Sequence, residues 1–299
     1  MIVPELEIHI LSLADVYASH RVVRRIILPK VARDFLSSAN ILRWSPEMIF
    51  AGESEGGKCD TTSGTVFATT WLLLCDGYRV IALSTELQSP SMIVSNIGND
   101  EPSQSSNIVA DYQIGSQYGK ITLADFVFSH QHAVVLFETN THASIISLTR
   151  PQRDDILNPK YPDSRSFKQS PNNRCLALLM RSKGQDQISV FAAKDSAYDN
   201  VSTFSPRTSD AQDLLWSPNG DPVLLVWDSA SYGVKVTFFT AMGHSLKQLD
   251  LSTLAPSRPQ AVGVITLKWH AAGDSTVLAV ADGNSNVLIR RQNNRNMVG

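Results

Sequence analysis

The residues 52–59, GESEGGKC, come close to the phosphate-binding loop of nucleotide-binding proteins, because a glycine-rich run ends in Lys58. That loop requires a Ser or Thr after the lysine, to ligate magnesium, and a helix behind it. Cys59 occupies the position after the lysine, and residues 60–70 are rich in Thr and Gly rather than helix-forming. Two acidic residues in the loop would also repel phosphate. We therefore expect a flexible surface loop here and no nucleotide binding.

Three histidines, His130, His132 and His142, could serve as metal ligands. On a strand, the i, i+2 spacing of His130 and His132 places both rings on one face, as zinc sites sometimes require. No Cys or Asp accompanies them in a ligand pattern, and the pair flanks a predicted turn. We expect these to be exposed turn histidines, with no metal bound.

The remaining reactive residue types form no catalytic pattern. Cys59, Cys75 and Cys175 share no short spacing, which argues against a disulfide framework or a zinc site and favours a reducing compartment. The nucleophile-elbow motif Gly-x-Ser-x-Gly is missing, and the acidic residues are scattered over loops without a pair suited to acid–base work. The sequence therefore predicts a protein that is not an enzyme and binds no cofactor.

Composition also bounds the choice of partners. The chain has 299 residues, 43% of them hydrophobic, and a formal net charge of −2. This charge creates no general attraction to nucleic acid or to an anionic membrane. No apolar run approaches the ~20 residues that a membrane span needs, and the N-terminus lacks the pattern of a secretory signal. We expect a soluble protein of the cytosol or nucleus.

The elements around these residues are short β-strands that repeat. From Asp213 to Leu251 four strands follow one another, and about three more follow from Ile265 to Arg291. The strand at 222–228 is apolar on both faces, whereas the last strand of the first group is polar enough for a sheet edge. Central strands buried on both faces beside a wetter outer strand are typical of one blade of a β-propeller.

A recurring turn marks the blades. Copies fall at Ser45, Ser129, Ser170, Ser217 and His270, with gaps of 84, 41, 47 and 53 residues, and the middle gaps fit a WD repeat of ~40–45 residues. The repeat signature comprises Trp44, Ser45, Pro46, Trp216, Ser217, Pro218, Trp227, Asp228, Trp269 and Asp282. We expect its tryptophans on inward strands to serve core or rim packing rather than ligand stacking.

Segments without this pattern complete the division of the chain. Residues 1–36 are predicted to be an N-terminal segment, with a helix between Leu11 and Ile27 and basic residues on its solvated face. Residues 37–292 hold the propeller blades, interrupted by the polar insertions 52–70 and 98–117, and 293–299 form a tail. Residues 150–163 are predicted to be a connector.

The second half of the chain resembles the WD repeat-containing protein eight family. The resemblance is carried by the stretch LLWSPNGDPVLLVWDS and by the following GVITLKWHAAGDSTVLAVADG, and it extends more weakly over Ile41 to Arg291. It implies a WD-repeat β-propeller. Family propellers are expected to have seven blades, of which five can be traced here, so we expect an incomplete, open arc that exposes Leu288 and Val280 and associates.

The resemblance implies a scaffold without an active site. Family members act at the centrosome or spindle pole body, within the cytoplasm and cytoskeleton, and support microtubule minus-end anchoring and mitotic spindle organisation. Their implied partners are a coiled-coil microtubule-anchoring protein and, in yeasts, a minus-end-directed kinesin. Two alternatives stay open: a WD-repeat translation-factor-like protein that binds RNA or ribosomes, and a propeller enzyme. The first would need a basic face, and the second would need carboxylates on its inner strands.

Overall fold

The computed structural model of this protein describes residues 7–12, 21–27, 35, 38–45, 71–84, 108–128, 131–194, 197–218, 223–228, 235–250, 263–272, 275–282 and 287–293. This part of the chain consists almost entirely of β-strands, with a 3-10 turn at Ser116–Tyr118. Within it, no helix is long and apolar enough to cross a membrane.

The strands of the described residues form a hairpin and five antiparallel sheets, and in each sheet the neighbouring strands are consecutive in the chain. The hairpin pairs β1 (Glu7–Ser12) with β2 (Arg21–Ile27). Sheet 1 contains β3 (Ile41–Trp44), β4 (Trp71–Cys75), β5 (Arg79–Ser84) and β6 (Ile108–Gln113). Sheet 2 contains β7 (Ile121–Val127), β8 (His132–Phe137), β9 (His142–Ser147) and β10 (Arg153–Leu157).

The last three sheets follow the same order. Sheet 3 contains β11 (Phe167–Gln169), β12 (Cys175–Ser182), β13 (Gln185–Lys194) and β14 (Ala197–Phe204). Sheet 4 contains β15 (Ala211–Trp216), β16 (Val223–Asp228), β17 (Lys235–Thr240) and β18 (Ser245–Asp250). Sheet 5 contains β19 (Val264–Ala272), β20 (Ser275–Asp282) and β21 (Val287–Asn293). The prediction of an all-β chain built from successive strand groups is confirmed.

The chain divides into two compact units. The first comprises Met1–Gln117, Ala124–Ala133 and Ser147–Pro151, and the second comprises Tyr118–Leu123, Val134–Ile146 and Gln152–Gly299. Sheet 1 lies in the first unit, and sheets 3, 4 and 5 lie in the second.

The core of the second unit is organised around β16, which is buried along its whole length. Successive side chains of a strand point to opposite faces. Leu224 and Val226 therefore pack with β12, β13 and β15, whereas Val223, Leu225 and Trp227 pack with β19 and β20. The prediction that this strand is apolar and buried on both faces is confirmed.

Sheet 1 has a core of its own in the first unit. Leu72 and Leu74 of β4 and Ile81 and Leu83 of β5 pack together with Phe35, which is 5% exposed. β4 and β5 form a hairpin across Asp76-Gly77, with pairing from Trp71↔Ser84 to Cys75↔Val80. The Asp76 carboxylate stabilises this turn by accepting hydrogen bonds from the backbone N–H groups of Tyr78 and Arg79, each at 2.7 Å.

The predicted helix between Leu11 and Ile27 is wrong. The described residues on either side of 13–20 form the paired strands β1 and β2. The apolar residues of these strands are mostly β-branched, among them Ile8, Ile10, Val22 and Val23. Such residues favour strands because their χ1 freedom is restricted in a helix.

Two segments predicted to be irregular contain strands. The end of the insertion 98–117 forms β6, and the connector 150–163 contains β10. A third strand, β14, lies where no element was predicted. All three are the fourth strands of their sheets, and their side chains are intermediate or exposed, so they lack the apolar alternation that marks the inner strands. Residues 52–70 lie outside the described part of the chain.

Two details of sheet 5 also differ from prediction. The first strand of sheet 5 does not end before His270 as expected, since β19 continues to Ala272, which pairs with Ser275. His270 lacks the serine hydroxyl and the following proline that end the equivalent strands. Val280, expected on an uncovered face, is fully buried against Trp227 and its neighbours. The exposed apolar residues of this sheet include Val287, Ile289 and Ile265. The side chain of Leu288 lies outside the described part.

Candidate interaction groove

The predicted turn serines share one hydrogen-bonding arrangement, which we call the serine clamp. In three sheets the serine after the first strand is buried, and its Oγ accepts the backbone N–H of the first residue of the second strand. The bonded pairs are Ser45 with Trp71 (2.8 Å), Ser170 with Cys175 (2.9 Å) and Ser217 with Val223 (3.2 Å). In each pair the serine N–H also donates to the partner's carbonyl oxygen, at 2.8–2.9 Å. Ser129, the remaining serine copy, lies outside the described residues.

The signature tryptophans do not share one environment. Trp216 is 4% exposed and donates its indole N–H to the Lys168 carbonyl at 2.8 Å. Trp227 is buried, and Trp269 is partly buried against the same cluster. Trp44 is 40% exposed, so it is not a core residue although its local sequence matches that of Trp216.

The other signature residues are placed as follows. Asp228 ends β16 and is buried, and one of its carboxylate oxygens accepts the Ser209 N–H at 2.6 Å. Asp282 is the last residue of β20, and Pro218 follows the serine clamp of sheet 4 at intermediate burial. Pro46 lies outside the described residues.

The three candidate metal-ligand histidines were predicted to be exposed turn residues, but the two of them that the structure describes lie on strands. His132 is 3% exposed on β8, with its ring edge-on to Phe128 at 6.1 Å. His142 begins β9 and lies 4.4 Å from the Tyr118 ring, with Nδ1 hydrogen-bonded to the Thr141 hydroxyl at 2.9 Å. His130 is outside the described part. Among the residues that the structure describes, no three His, Cys, Asp or Glu side chains are grouped to hold a metal.

A groove lies where the outer parts of sheets 3 and 4 meet. Its base is formed by contacts of β14 with β17 and with the turn after it. Ser202 Oγ donates to the Ala241 carbonyl in the turn at 2.7 Å, and the Phe204 ring lies 5.0 Å from the Phe239 ring of β17. Gly243 has a φ of 81°, and a Cβ at this position would stand 2.5 Å from the Phe204 ring. Only glycine fits so close an approach in this conformation.

One wall of the groove is the connector between β14 and β15. Buried carboxylates hold this connector in place by accepting hydrogen bonds from it. Asp186, whose side chain has no exposed surface, accepts hydrogen bonds from Thr208 Oγ1 at 2.9 Å and the Ala211 N–H at 2.6 Å. Asp228 holds Ser209 from the neighbouring sheet. Between these anchors Arg207 has a φ of 57°, a left-handed conformation that is uncommon for residues other than glycine.

The negative charge of Asp186 is balanced by buried and half-buried cations. Lys160 Nζ lies 2.9 Å from Asp186 and 2.8 Å from Asp210, and donates to the Ala211 carbonyl at 2.7 Å. Arg181 reaches both carboxylates, at 3.3 and 3.1 Å. We call Lys160, Arg181, Asp186 and Asp210 the charge network. Since a buried charge is tolerated only when paired, this network ties the connector to sheet 3.

Burial also shifts the pKa of a carboxyl group beside this wall. Asp213 on β15 pairs with Lys168 of β11 at 2.9 Å. Burial raises the pKa of Asp213, and the hydrogen bond and charge of Lys168 oppose this rise without cancelling it. The pair joins the first strands of sheets 3 and 4.

The groove has a volume of about 590 Å³, within the range of small-molecule and peptide pockets. It is lined by Ser205, Pro206, Arg207, Thr208, Val226, Trp227, Asp228, Lys235, Thr237, Phe239, Gly243, His244, Ser245 and Gln248. Arg207, Lys235 and His244 have no ion-pair partner within the described residues, whereas Asp228 is bonded to Ser209. The lining thus combines an apolar floor at Phe239 with unpaired basic groups on three separate elements.

Sequence reasoning did not find this groove. Arg207 lies in a stretch without an assigned element, and Lys235 and His244 fall on a half-buried strand and a turn where basic residues are ordinary. A signal existed at Gly243, which sits in a turn between two strands, but only the structure shows its contact with Phe204.

Comparison with known proteins leaves the family open. No protein-family model matches the chain, and no curated protein sequence matches it. Solved structures with a similar arrangement include a protein from Bacteroides fragilis proposed to be a 6-phosphogluconolactonase, at 13% identity and a TM-score of 0.37, covering 60% of this chain and 51% of the other. Another is the CNH domain of AfRom2, at 11% identity and a TM-score of 0.41, covering 73% and 63%.

A third similar structure is the dihydro-heme d1 dehydrogenase NirN, at 12% identity and a TM-score of 0.39, covering 75% of this chain and 45% of the other. The match thus spans only about half to three fifths of the length of these proteins. At these identities and TM-scores the similarity supports no assignment of family, activity or ligand.

Proposed function

We propose that this chain is a non-enzymatic β-propeller scaffold of the WD-repeat type, which acts at the spindle pole or centrosome. It supports microtubule minus-end anchoring and spindle organisation through protein–protein contacts. The partners that we propose are a coiled-coil microtubule-anchoring protein and a minus-end-directed kinesin. A rigid array of sheets that displays its loops is suited to holding several partners at once.

The observation that supports this proposal most strongly is the serine clamp, repeated in sheets 1, 3 and 4. The same bond at equivalent positions indicates that the sheets are copies of one unit, as blades of a propeller are. The buried charges of the second unit support it further. Asp186 and Asp228 hold a connector in place, so their chemistry is used in positioning the loops.

Affinity purification of the tagged full chain from dividing cells, with identification of the recovered proteins, tests the proposal. We expect centrosomal or spindle-pole proteins, and a fluorescent fusion should label the poles in mitosis. Recovery of ribosomes would favour the RNA-binding alternative. Turnover of a small substrate by the purified protein would favour the alternative of a propeller enzyme. Either result without pole labelling would contradict the scaffold. A Trp216→Ala fusion, in which the core is damaged, is the control. Pole labelling or protein recovery that persists in this variant does not depend on the folded chain.

A further inference from the structure

We propose that the groove between sheets 3 and 4 binds an acidic peptide segment of a partner protein. Carboxylates of that segment would meet Arg207, Lys235 and His244, which line the groove. The inference rests on the proposed function only in taking the partner to be a protein, and it does not depend on where in the cell the protein acts.

The charges of the groove favour an anionic ligand. Arg207, Lys235 and His244 line one cavity without an ion-pair partner among the described residues. Asp228, the acidic residue of the lining, is engaged by the Ser209 N–H at 2.6 Å. Guanidinium and ammonium groups left unpaired in a recess bind carboxylates with charge-assisted hydrogen bonds. This local surplus of positive charge contrasts with the net charge of −2 of the whole chain.

The size and layout of the groove favour a peptide over a small anion. A volume of about 590 Å³ far exceeds what a single phosphate or carboxylate ion fills. The basic groups come from three elements, namely the β14–β15 connector, β17 and the β17–β18 turn, so they can meet several negative charges spread along a chain. The aromatic floor is 5% exposed at Phe239 and packed against Phe204, and therefore offers no open ring on which a nucleic-acid base could stack.

The walls of the groove are fixed before any ligand arrives. The charge network and Asp228 hold the connector that carries Arg207. The turn that carries His244 is held by Thr240, whose hydroxyl accepts the His244 N–H at 3.2 Å and whose N–H donates to the His244 carbonyl at 2.9 Å. Preorganised groups bind more tightly because less conformational freedom is lost on association. The groove is therefore built as a recognition surface rather than left by loose packing.

Fluorescence anisotropy with the full chain and a fluorescein-labelled hexaglutamate peptide tests the proposal at low ionic strength. We expect saturable binding that weakens with added salt, because partly exposed charges are screened. Lys235→Glu should weaken binding about tenfold, as expected when an attraction of about 0.7 kcal/mol becomes a repulsion of similar size. Lys120→Glu makes the same charge change at an exposed position outside the groove and should leave binding unchanged.

The competing explanations predict other results. Equal binding by the Lys235→Glu and Lys120→Glu variants would overturn the proposal, as would equally tight binding of a labelled hexaglutamine peptide. Displacement of the peptide by millimolar inorganic phosphate would indicate a small-anion site instead. Tighter binding of an oligothymidylate, lost in the same variant, would indicate nucleic acid. A urea melt of each variant checks folding, and Arg207→Gln repeats the test should Lys235→Glu unfold. Peptide binding without pole labelling would refute the cellular function alone.

Discussion

Asp186 shows how a single residue can connect two elements of this molecule. Its side chain has no exposed surface, and its two oxygens are bonded to Lys160, Arg181, Thr208 and the Ala211 N–H. Removing one partner from such a network leaves the others buried and uncompensated. We expect Asp186→Asn to lower the free energy of unfolding by about 3–5 kcal/mol, measured by urea denaturation.

The control for this prediction is Asp199→Asn in the same sheet. Asp199 pairs with Lys194 at 3.2 Å, but the two side chains are 58% and 71% exposed. Exposed ion pairs contribute less than about 1 kcal/mol. Equal losses in the two variants would show that burial of the charge network does not govern its contribution to stability.

The cysteine side chains of the core give a second prediction at this scale. Cys75 is fully buried on β4, and burial, together with the nearby charge of Asp76, raises the pKa of its thiol to about 12. Burial likewise raises the pKa of Cys175. A raised pKa keeps the thiol protonated at pH 8, and only the thiolate reacts readily. In peptide mapping after iodoacetamide treatment, we expect both to be modified only when the protein unfolds. Fast labelling of Cys75 in the native protein would contradict this.

Trp216 and Trp44 show what a residue's local sequence does and does not predict. Both precede a Ser-Pro pair, yet Trp216 is 4% exposed and Trp44 is 40% exposed. We expect Trp216→Ala to cost about 3–5 kcal/mol, as large-to-small changes at buried aromatics do. Trp44→Ala should cost about 1 kcal/mol, typical of a partly exposed position. A change below about 1 kcal/mol for Trp216→Ala in urea melts would remove it from the core.

At the scale of elements, the inner strands were predictable, whereas among the fourth strands only β18 was predicted as a sheet edge. The second and third strands of a sheet pack on both faces, so their apolar runs stand out, as in β12 and β16. The fourth strands β6, β10 and β14 face solvent, and backbone pairing to the third strand is what makes them strands. The polar residues of these strands carry no sequence pattern that predicts the pairing. The groove could not be predicted for a related reason. It depends on the contact of β14 with β17 and the turn after it, which the sequence does not indicate.

The serine clamp is the element-scale feature most open to test. Ser170→Ala and Ser217→Ala each leave a buried N–H, of Cys175 or Val223, without its acceptor. Leaving a buried donor unsatisfied costs about 1–3 kcal/mol, so we expect similar losses of unfolding free energy in both variants. Ser245→Ala, at an exposed position on β18, is the matched control and should be close to neutral. A loss confined to one of the two clamps would argue against their equivalence.

At the scale of the whole molecule, sheet 5 carries exposed apolar residues. Val287 is 63% and Ile289 is 71% exposed, and in the β20–β21 register they stand opposite Ala281 and Ala279. Apolar residues on one face of a sheet favour association when nothing covers them. We expect the isolated chain to form oligomers or larger species in sedimentation velocity, and a Val287→Lys/Ile289→Lys double variant to shift it toward monomer.

Leu157→Lys is the control for this experiment, because Leu157 is 59% exposed but lies on β10, away from the described strands of sheet 5. It should not change the sedimentation profile. A monodisperse monomer of the unmodified chain, with one cooperative melt, would show that the sheet 5 face does not drive association.

The serine clamp has a consequence for how this chain can vary in length. The clamp joins residues 26 apart in sheet 1, 5 apart in sheet 3 and 6 apart in sheet 4, yet the bonds are nearly the same. Because the bond closes the loop at its base, added residues cost only the slowly growing entropy of a longer loop. Foreign segments placed between Ser170 and Cys175 should therefore be carried without loss of the sheet, which makes this turn a natural position for grafting a reporter peptide.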